Sequence, residues 1–479
     1  MRVASIVGPT LPDVKVQIQQ ALTVADVLEL RFDYWQTLNI DEIKTLRAEL
    51  TLPVIFTLRK TDQGGQCNMT EAQRLAWIEK LASLAPDYLD IETDVDLHFI
   101  QKLTAHSPNI KIIGSYHNFS ETPSHLTELF SRINHPVFSC IKIATYARSI
   151  CDTLRLMIFL QQFRDQHQLM VMAMGEYGEA SRILAPVLGS IFVYGSLTPE
   201  SATAPRQLTL AELTDIYRVQ QLNRDTKIYA LLGDPVAHSQ GHRFHNHVFQ
   251  SQNRNAVYVK LKISPEDLQS AMNLLRQLPF AGFSVTMPHK ETIVPLLDHL
   301  EGDAQATQIV NTIKNIDSQY WGYNTDGTAG AEILQQALKS LKQVPILILG
   351  AGGSAQAIAY CLIQRGAHVT ICNRTVAKAK KVCQRLGCDF ISFAELFQQT
   401  SLPYIVIVNT LPAAAFSAQC QAWTLPQAQG QQVAMDIVYQ PTPTLFLQKA
   451  NAAKWECITG NNLFVEQAIR QSKIWLKAG

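Results

Sequence analysis

A lysine in the middle of an apolar run carries the strongest chemical signal in this chain. Lys142 lies within Phe138-Ser139-Cys140-Ile141-Lys142-Ile143-Ala144, which reads as a buried strand. A buried ammonium costs solvation free energy unless it is paired, and desolvation favours the neutral amine that attacks a carbonyl to form a Schiff base. A lysine whose stem lines the strand while its head reaches water or a carboxylate would give the same pattern. Other apolar runs supply partners. Glu29 and Arg31 lie in the second run, Arg59 follows the third, Glu92 ends the fourth, His117 follows the fifth, and Arg182 comes soon after the seventh. A lysine can capture a ketone as an iminium, an electron sink that acidifies the adjacent carbon. His117 can move protons there, and arginines suit a carboxylate bidentately. The reaction class is elimination or carbon–carbon cleavage through an imine.

A second constellation lies downstream. The apolar run 346–349 leads into Gly350-Ala351-Gly352-Gly353-Ser354-Ala355 and then an apolar helix, the G-x-G-x-x-A pattern of a dinucleotide site. Glycines there let backbone amides approach a pyrophosphate at a helix N-terminus. The next strand, 369–372, ends in Asn373-Arg374-Thr375, where NAD sites place an acidic residue on the ribose. A cation and a hydroxyl suit a 2′-phosphate instead, so NADP is the expected cofactor. Lys290 follows the Met287-Pro288 turn and Asp326 stands in Asn324-Thr325-Asp326-Gly327. Beside a nicotinamide, a lysine oriented by a carboxylate can deliver a proton to the alkoxide formed by hydride transfer. His238, His242, His245 and His247 crowd together, but the intervening Ser239-Gln240-Gly241 predicts a loop, and no carboxylate or cysteine completes a metal shell. No metal is expected.

Positioning the first constellation needs regularly spaced elements, and the first two hundred residues have them. Apolar runs at 3–8, 27–32, 54–58, 88–91, 110–115, 137–144, 169–174 and 191–195 are separated by helical patterns such as 70–85. Eight strand-plus-helix units predict a closed parallel (β/α)8 barrel, an α/β fold whose polar strand ends converge at the C-terminal mouth. The polar, aperiodic stretch 223–227 marks a junction, and a new strand follows at 228–232. A chain of 479 residues, 47% hydrophobic and 17% charged, is long enough for two or three cores. With 41 basic against 40 acidic residues it has no electrostatic footprint for nucleic acid or an anionic membrane, so small molecules are the expected partners. The nine scattered cysteines contain no C-x-x-C and read as reduced core thiols. A strand beginning at once leaves no room for a leader, and no apolar stretch approaches a membrane span, so a cytoplasmic enzyme is expected.

The first half resembles type I 3-dehydroquinate dehydratase. The resemblance rests on Glu29-Leu30-Arg31, Ser115-Tyr116-His117-Asn118-Phe119, Lys142-Ile143-Ala144, Met174-Gly175, Gly178 and Ser181-Arg182. It implies that Lys142 forms the Schiff base, His117 is the acid/base and Glu92 supports it. Glu29, Arg31, Arg59, Arg182, Thr203 and Gln207 would meet substrate. The family's last loop reads Ser-Ala-Pro-Gly-Gln, whereas this chain has Thr203-Ala204-Pro205-Arg206-Gln207.

The second half resembles shikimate dehydrogenase through Gly233-Asp234-Pro235-Val236, His245-Asn246, Val285-Thr286 with Lys290, Val310-Asn311-Thr312, Asn324-Thr325-Asp326-Gly327, Asn373-Arg374-Thr375, and Asp436 with Val438-Tyr439 and Pro441. The resemblance implies Lys290 and Asp326 as the catalytic pair and Ser239, Thr286, Asn311, Tyr439 and Gln467 as substrate contacts. It further implies a barrel over 1–222, an α/β substrate domain over 226–328 plus 460–479, and a Rossmann NADP domain over 329–459. Here Ser239-Gln240-Gly241-His242 lacks the second hydroxyl of the family's Ser-x-Ser-Pro. The usual Asn-Ala-Thr segment reads Asn409-Thr410-Leu411-Pro412, and Leu463 replaces a methionine. The expected protein dehydrates 3-dehydroquinate and reduces the resulting 3-dehydroshikimate to shikimate with NADPH. Two rivals are a metabolite-sensing regulator, opposed by the retained Lys142, His117, Lys290 and Asp326, and an NAD-dependent quinate oxidiser, opposed by Arg374.

Overall fold

The computed structural model describes residues 1–477 except Thr400 and Pro441, so Pro441, one position of the second resemblance, lies outside it. Two compact units divide the chain, Met1–Phe280 and Ala281–Gly479.

Eight strands open the first unit: β1 (Arg2–Ile6), β2 (Val27–Arg31), β3 (Val54–Thr57), β4 (Tyr88–Glu92), β5 (Lys111–Asn118), β6 (Cys140–Tyr146), β7 (Leu169–Met174) and β8 (Val193–Gly195). They form one parallel sheet in the order β7-β6-β5-β4-β3-β2-β1-β8, as the eight apolar runs predict. Closure is thinner than expected. Only three residues long, β8 builds no ladder with β7, and one backbone bond, from Ile191 N to Leu169 O at 3.2 Å, ties the seam.

Strand alternation decides what faces the axis. Cys140 and Ala144 join the apolar cluster of Val3, Val27, Ile55, Ile113 and Met172, which puts Lys142, between them, on the same inward face. The β5–β6 ladder continues as far as Asn118 opposite Thr145, so His117 lies within the strand rather than after it. Register thereby fixes its direction. The helix Glu71–Ala82 starts at a capping box, with Thr70 and Gln73 each satisfying the other's backbone amide. Its Arg74, fully buried, points back to the end of β4.

The first unit continues with β9 (Lys227–Gly233), the helix Gly241–Ser251 and β10 (Ala256–Lys262), which pairs parallel with β9. In the second unit β11 (Phe280–Val285, its first residue belonging to the first unit) pairs antiparallel with β13 (Thr312–Ile316). That strand turns back into β14 (Gln319–Tyr323), beside which lies the short β12 (His299–Leu300). A parallel sheet follows, built from β15 (Pro345–Leu349), β16 (His368–Cys372), β17 (Asp389–Ile391), β18 (Val406–Asn409), β19 (Val433–Asp436) and β20 (Glu456–Ile458). Its order, β17-β16-β15-β18-β19-β20, is the doubly wound arrangement with a switch point between β15 and β18. Nucleotides bind at that crevice. Eight of the nine unpaired cysteines are wholly or partly buried, whereas Cys457 on the edge strand β20 is exposed and is no core thiol. Among the described residues no helix is long and apolar enough to cross a membrane.

Candidate active sites

A cavity in the barrel is lined by Glu29, Arg31, Arg59, His117, Lys142, Arg182, Thr203 and Gln207, bringing together every barrel residue named from sequence except Glu92. Lys142 is 5% exposed, yet it is not isolated among apolar groups. Its Nζ lies 3.2 Å from Asp90 Oδ2 and 3.5 Å from Glu29 Oε1, and 4.1 Å from the Tyr194 ring centroid. The amine must leave two carboxylates before it can attack a carbonyl, which desolvation alone did not anticipate.

Asp90 was missed, although it lies two residues before Glu92 and so on the same strand face. Burial pushes its carboxyl up, but Arg59, 2.8 Å away, and Lys142 outweigh that and hold it well below the usual carboxylate range. Glu92 makes three contacts: Arg74 Nη1 donates to its Oε2 at 2.8 Å, the Lys60 amide donates to its Oε1 at 3.1 Å, and Arg59 Nη1 lies 3.6 Å from the same Oε1. Glu92 therefore links the helix behind the strand to Arg59 of the cavity, and among the described residues it makes no hydrogen bond to His117. What meets His117 instead is Gln63, whose Oε1 accepts the His117 amide at 3.0 Å.

The three arginines differ in how they are occupied. Arg31 holds Asp33 through two bonds of 2.9 and 2.7 Å, and Arg59 is committed to Asp90, Glu92 and Ser115. Among the described residues Arg182, 4% exposed, has no carboxylate partner; Nη1 reaches only the Met172 sulfur, and Nη2 has no hydrogen-bond partner. Burial draws its pKa down to about 10. A buried cation without a carboxylate partner, lining the same cavity as Lys142, suits an anionic ligand. Burial, followed by Arg59 and Lys142, also holds His117 well below the ordinary histidine value, so near neutral pH the ring is a base. Its Nδ1 has no partner among the described residues. Thr203 and Gln207 face each other across the last loop, with Thr203 N to Gln207 Oε1 at 2.8 Å. Arg206, where the family has glycine, keeps the left-handed backbone a glycine would adopt, at φ 58°.

In the second unit Lys290 Nζ stands 2.5 Å from Asp326 Oδ2 and 2.8 Å from Ser354 Oγ. Asn311 Nδ2 donates to Asp326 Oδ1 at 2.7 Å and to Thr325 Oγ1 at 2.9 Å, so the carboxylate is braced from the side opposite the lysine. Gln467 reaches the same group through Thr325, at 3.5 Å. Ser354, named from sequence as part of the cofactor loop, thus touches both Lys290 and Asp326 directly. Ring centroids 5.3 Å apart pack Tyr439 on Phe464.

The glycine loop has the geometry its spacing predicts. Gly350 sits at φ 110°, and a Cβ there would meet the Thr410 hydroxyl at 2.5 Å. Gly352 caps the helix Gly353–Gln364. Arg374 and Thr375 are exposed at the end of β16, Asn373 Nδ2 binds the Thr375 carbonyl at 3.0 Å, and no carboxylate pairs with Arg374 among the described residues. These groups fit a dinucleotide carrying an extra phosphate.

On the first unit, Ser239 Oγ accepts the Gly241 amide at 3.1 Å. His242 does not replace the missing hydroxyl: its Nδ1 lies 3.1 Å from the Ser239 carbonyl, and its ring stacks on Tyr217 with centroids 6.1 Å apart. His245 stacks on Tyr258 at 4.6 Å. Of the four clustered histidines, His242 and His245 are used in packing and His238 and His247 are exposed, and among the described residues no His, Cys, Asp and Glu group of metal-binding geometry occurs.

A lysine set among carboxylates and arginines inside a parallel barrel defines a Schiff-base lyase, and the Lys–Asp pair with its glycine loop defines a nicotinamide-dependent oxidoreductase. Family models agree. Type I 3-dehydroquinase matches residues 3–224, the shikimate dehydrogenase substrate binding domain 231–313, and shikimate/quinate 5-dehydrogenase 332–438. The chain is 31% identical to the chloroplastic bifunctional 3-dehydroquinate dehydratase/shikimate dehydrogenase of Arabidopsis thaliana, over 94% of its own length and 77% of that protein. It is 30% identical to the shikimate biosynthesis protein AroDE of Chlamydia pneumoniae, covering 99% and 95% of the two chains. An Aquifex aeolicus shikimate dehydrogenase (NADP(+)) is 34% identical over 53% of this chain and 93% of its own. A crystal structure of shikimate dehydrogenase in complex with NADP+ aligns at 32% identity and a TM-score of 0.47, over 53% of this chain and 91% of that one. The chain belongs to the family of bifunctional 3-dehydroquinate dehydratase/shikimate dehydrogenase enzymes.

Proposed function

We propose that the barrel of residues 1–222 dehydrates 3-dehydroquinate through an imine on Lys142, and that residues 226–479 reduce the product, 3-dehydroshikimate, to shikimate with NADPH. The observation that carries the first assignment is Arg182, a buried cation with an unpartnered nitrogen beside Lys142. A substrate carboxylate placed on it leaves the ring ketone to the lysine. Lys142 Nζ bonds to the carbonyl carbon and the oxygen departs as water. His117 removes a proton from the carbon next to the iminium, the electrons expel the hydroxyl one carbon further on, and hydrolysis returns the amine. Asp90 and Glu29 hold the resting amine in place; Glu92 is better read as the anchor of Arg74 than as a catalytic group.

In the second half NADPH supplies hydride when bound, the glycine loop holding its pyrophosphate and Asn373, Arg374 and Thr375 its 2′-phosphate. Lys290 gives a proton to the forming alkoxide, and Asp326, braced by Asn311, keeps the ammonium aimed. Within the second unit, Thr286, Tyr439 and Gln467 would meet the substrate. The three-domain division 1–222, 226–328 plus 460–479, and 329–459 accompanies this reading and is supported by the family matches.

Wild-type protein supplied with 3-dehydroquinate and NADPH is expected to form shikimate with equimolar NADPH oxidation; no NADPH consumption, despite turnover of 3-dehydroshikimate added directly, would remove the barrel's assignment. The dehydratase also has an expected pH signature. Protonating His117 stops catalysis, and its pKa is depressed below 6.5, so the acid limb of kcat/KM should fall below that value. A limb centred above 6.5 would take the base role away from His117.

A further inference from the structure

Within the first unit, two cations of β10 reach the loop between β7 and the helix Glu179–Leu188. Lys262 Nζ lies 2.8 Å from Glu176 Oε1, 5.4 Å from the Tyr177 ring centroid and 3.9 Å from Asp234 Oδ1. Lys260, two residues earlier and so on the same strand face, lies 3.5 Å from Glu179 Oε1, and Tyr217 donates its hydroxyl to that oxygen at 3.4 Å. The two lysines thus grip both ends of a short loop that carries parts of the dehydratase site.

That loop has few ways to move. Gly175, at φ 87°, leaves no room for a Cβ against Tyr146, and its amide donates to the Pro205 carbonyl at 3.2 Å, in the loop of Thr203 and Gln207. Thr153 Oγ1 holds the Tyr177 carbonyl at 2.9 Å, and Ser181 Oγ holds the Gly178 carbonyl at 2.7 Å, immediately before Arg182. A push on Glu176 is therefore passed to the substrate loop on one side and to Arg182 on the other. Asp234, the third partner of Lys262, opens the segment that leads to Ser239.

Resting on the dehydratase reading above, we propose that Lys262, with Lys260, is a positioning residue for dehydration supplied by the downstream half of the chain, so that the dehydratase is tuned by its fusion partner. The ion pairs are partly exposed, so each contributes modestly, and the network matters more than any member. Lys262→Glu should raise the KM for 3-dehydroquinate about fivefold with kcat little changed, Glu176→Lys should do likewise, and the double exchange should restore the wild-type KM. Lys262→Arg should behave as wild type, which separates lost charge from lost folding. High salt should raise the wild-type KM towards that of Lys262→Glu. An unchanged KM in Lys262→Glu, or a double variant no better than either single one, overturns the proposal. Wild-type protein lacking dehydratase activity would instead remove the reading on which it rests.

Discussion

Lys142→Ala is expected to lower dehydration of 3-dehydroquinate by a factor on the order of 10⁴ or more while reduction of 3-dehydroshikimate proceeds at the wild-type rate. Without the amine no iminium forms, and the proton that His117 must remove loses its electron sink. Borohydride added with 3-dehydroquinate should reduce the iminium to a secondary amine, and peptide mass spectrometry should find the adduct on Lys142. The structure adds a subtlety. Lys142 lies between Asp90 and Glu29, and removing it leaves two buried carboxylates close together, with Arg59 still pairing Asp90. Lys142→Arg keeps the charge but cannot form the imine, so it should be equally inactive and fold better than the alanine variant. An active Lys142→Arg enzyme, or an adduct on another residue, would defeat the imine mechanism.

The second large effect concerns proton delivery. Lys290→Ala should cut the kcat for NADPH-dependent reduction by roughly 10²- to 10⁴-fold and leave the dehydratase intact. Asp326→Asn should fall in the same range with little change in the KM for NADPH. Asn311 already donates an amide proton to Asp326 Oδ1, so an asparagine there would have to turn its own oxygen to Asn311 and present its NH2 group to Lys290. The ammonium would lose its acceptor. Steady-state kinetics with each substrate separates these outcomes. A loss confined to the KM for NADPH would move both residues from proton transfer to cofactor binding.

The fold was legible because its signals are local. Eight apolar runs with helical spacers, a glycine loop between strand and helix, and Asn373-Arg374-Thr375 at a strand end each depend on residues close in sequence. The seam at β8 was not legible, because a run of the right composition does not say how many residues will find ladder partners. Gln63 escaped notice because nothing in its own neighbourhood points to the His117 amide, 54 positions away. Tyr194, beside the Lys142 amine, escaped for the same reason.

By itself, then, the amino-acid order determined which chemistries the chain has the groups for: an amine able to form an imine, an imidazole, a lysine and an aspartate able to deliver a proton, and a glycine loop able to cradle phosphate. Only the tertiary structure decided which charges are already satisfied. Glu92 went to Arg74 and Arg59, Asp90 to Arg59 and Lys142, and one Arg182 nitrogen has no partner among the described residues. Residue type sets what a side chain can do at short range, whereas ion pairing depends on positions converging from strands far apart in the chain, and that convergence exists only once the barrel has formed.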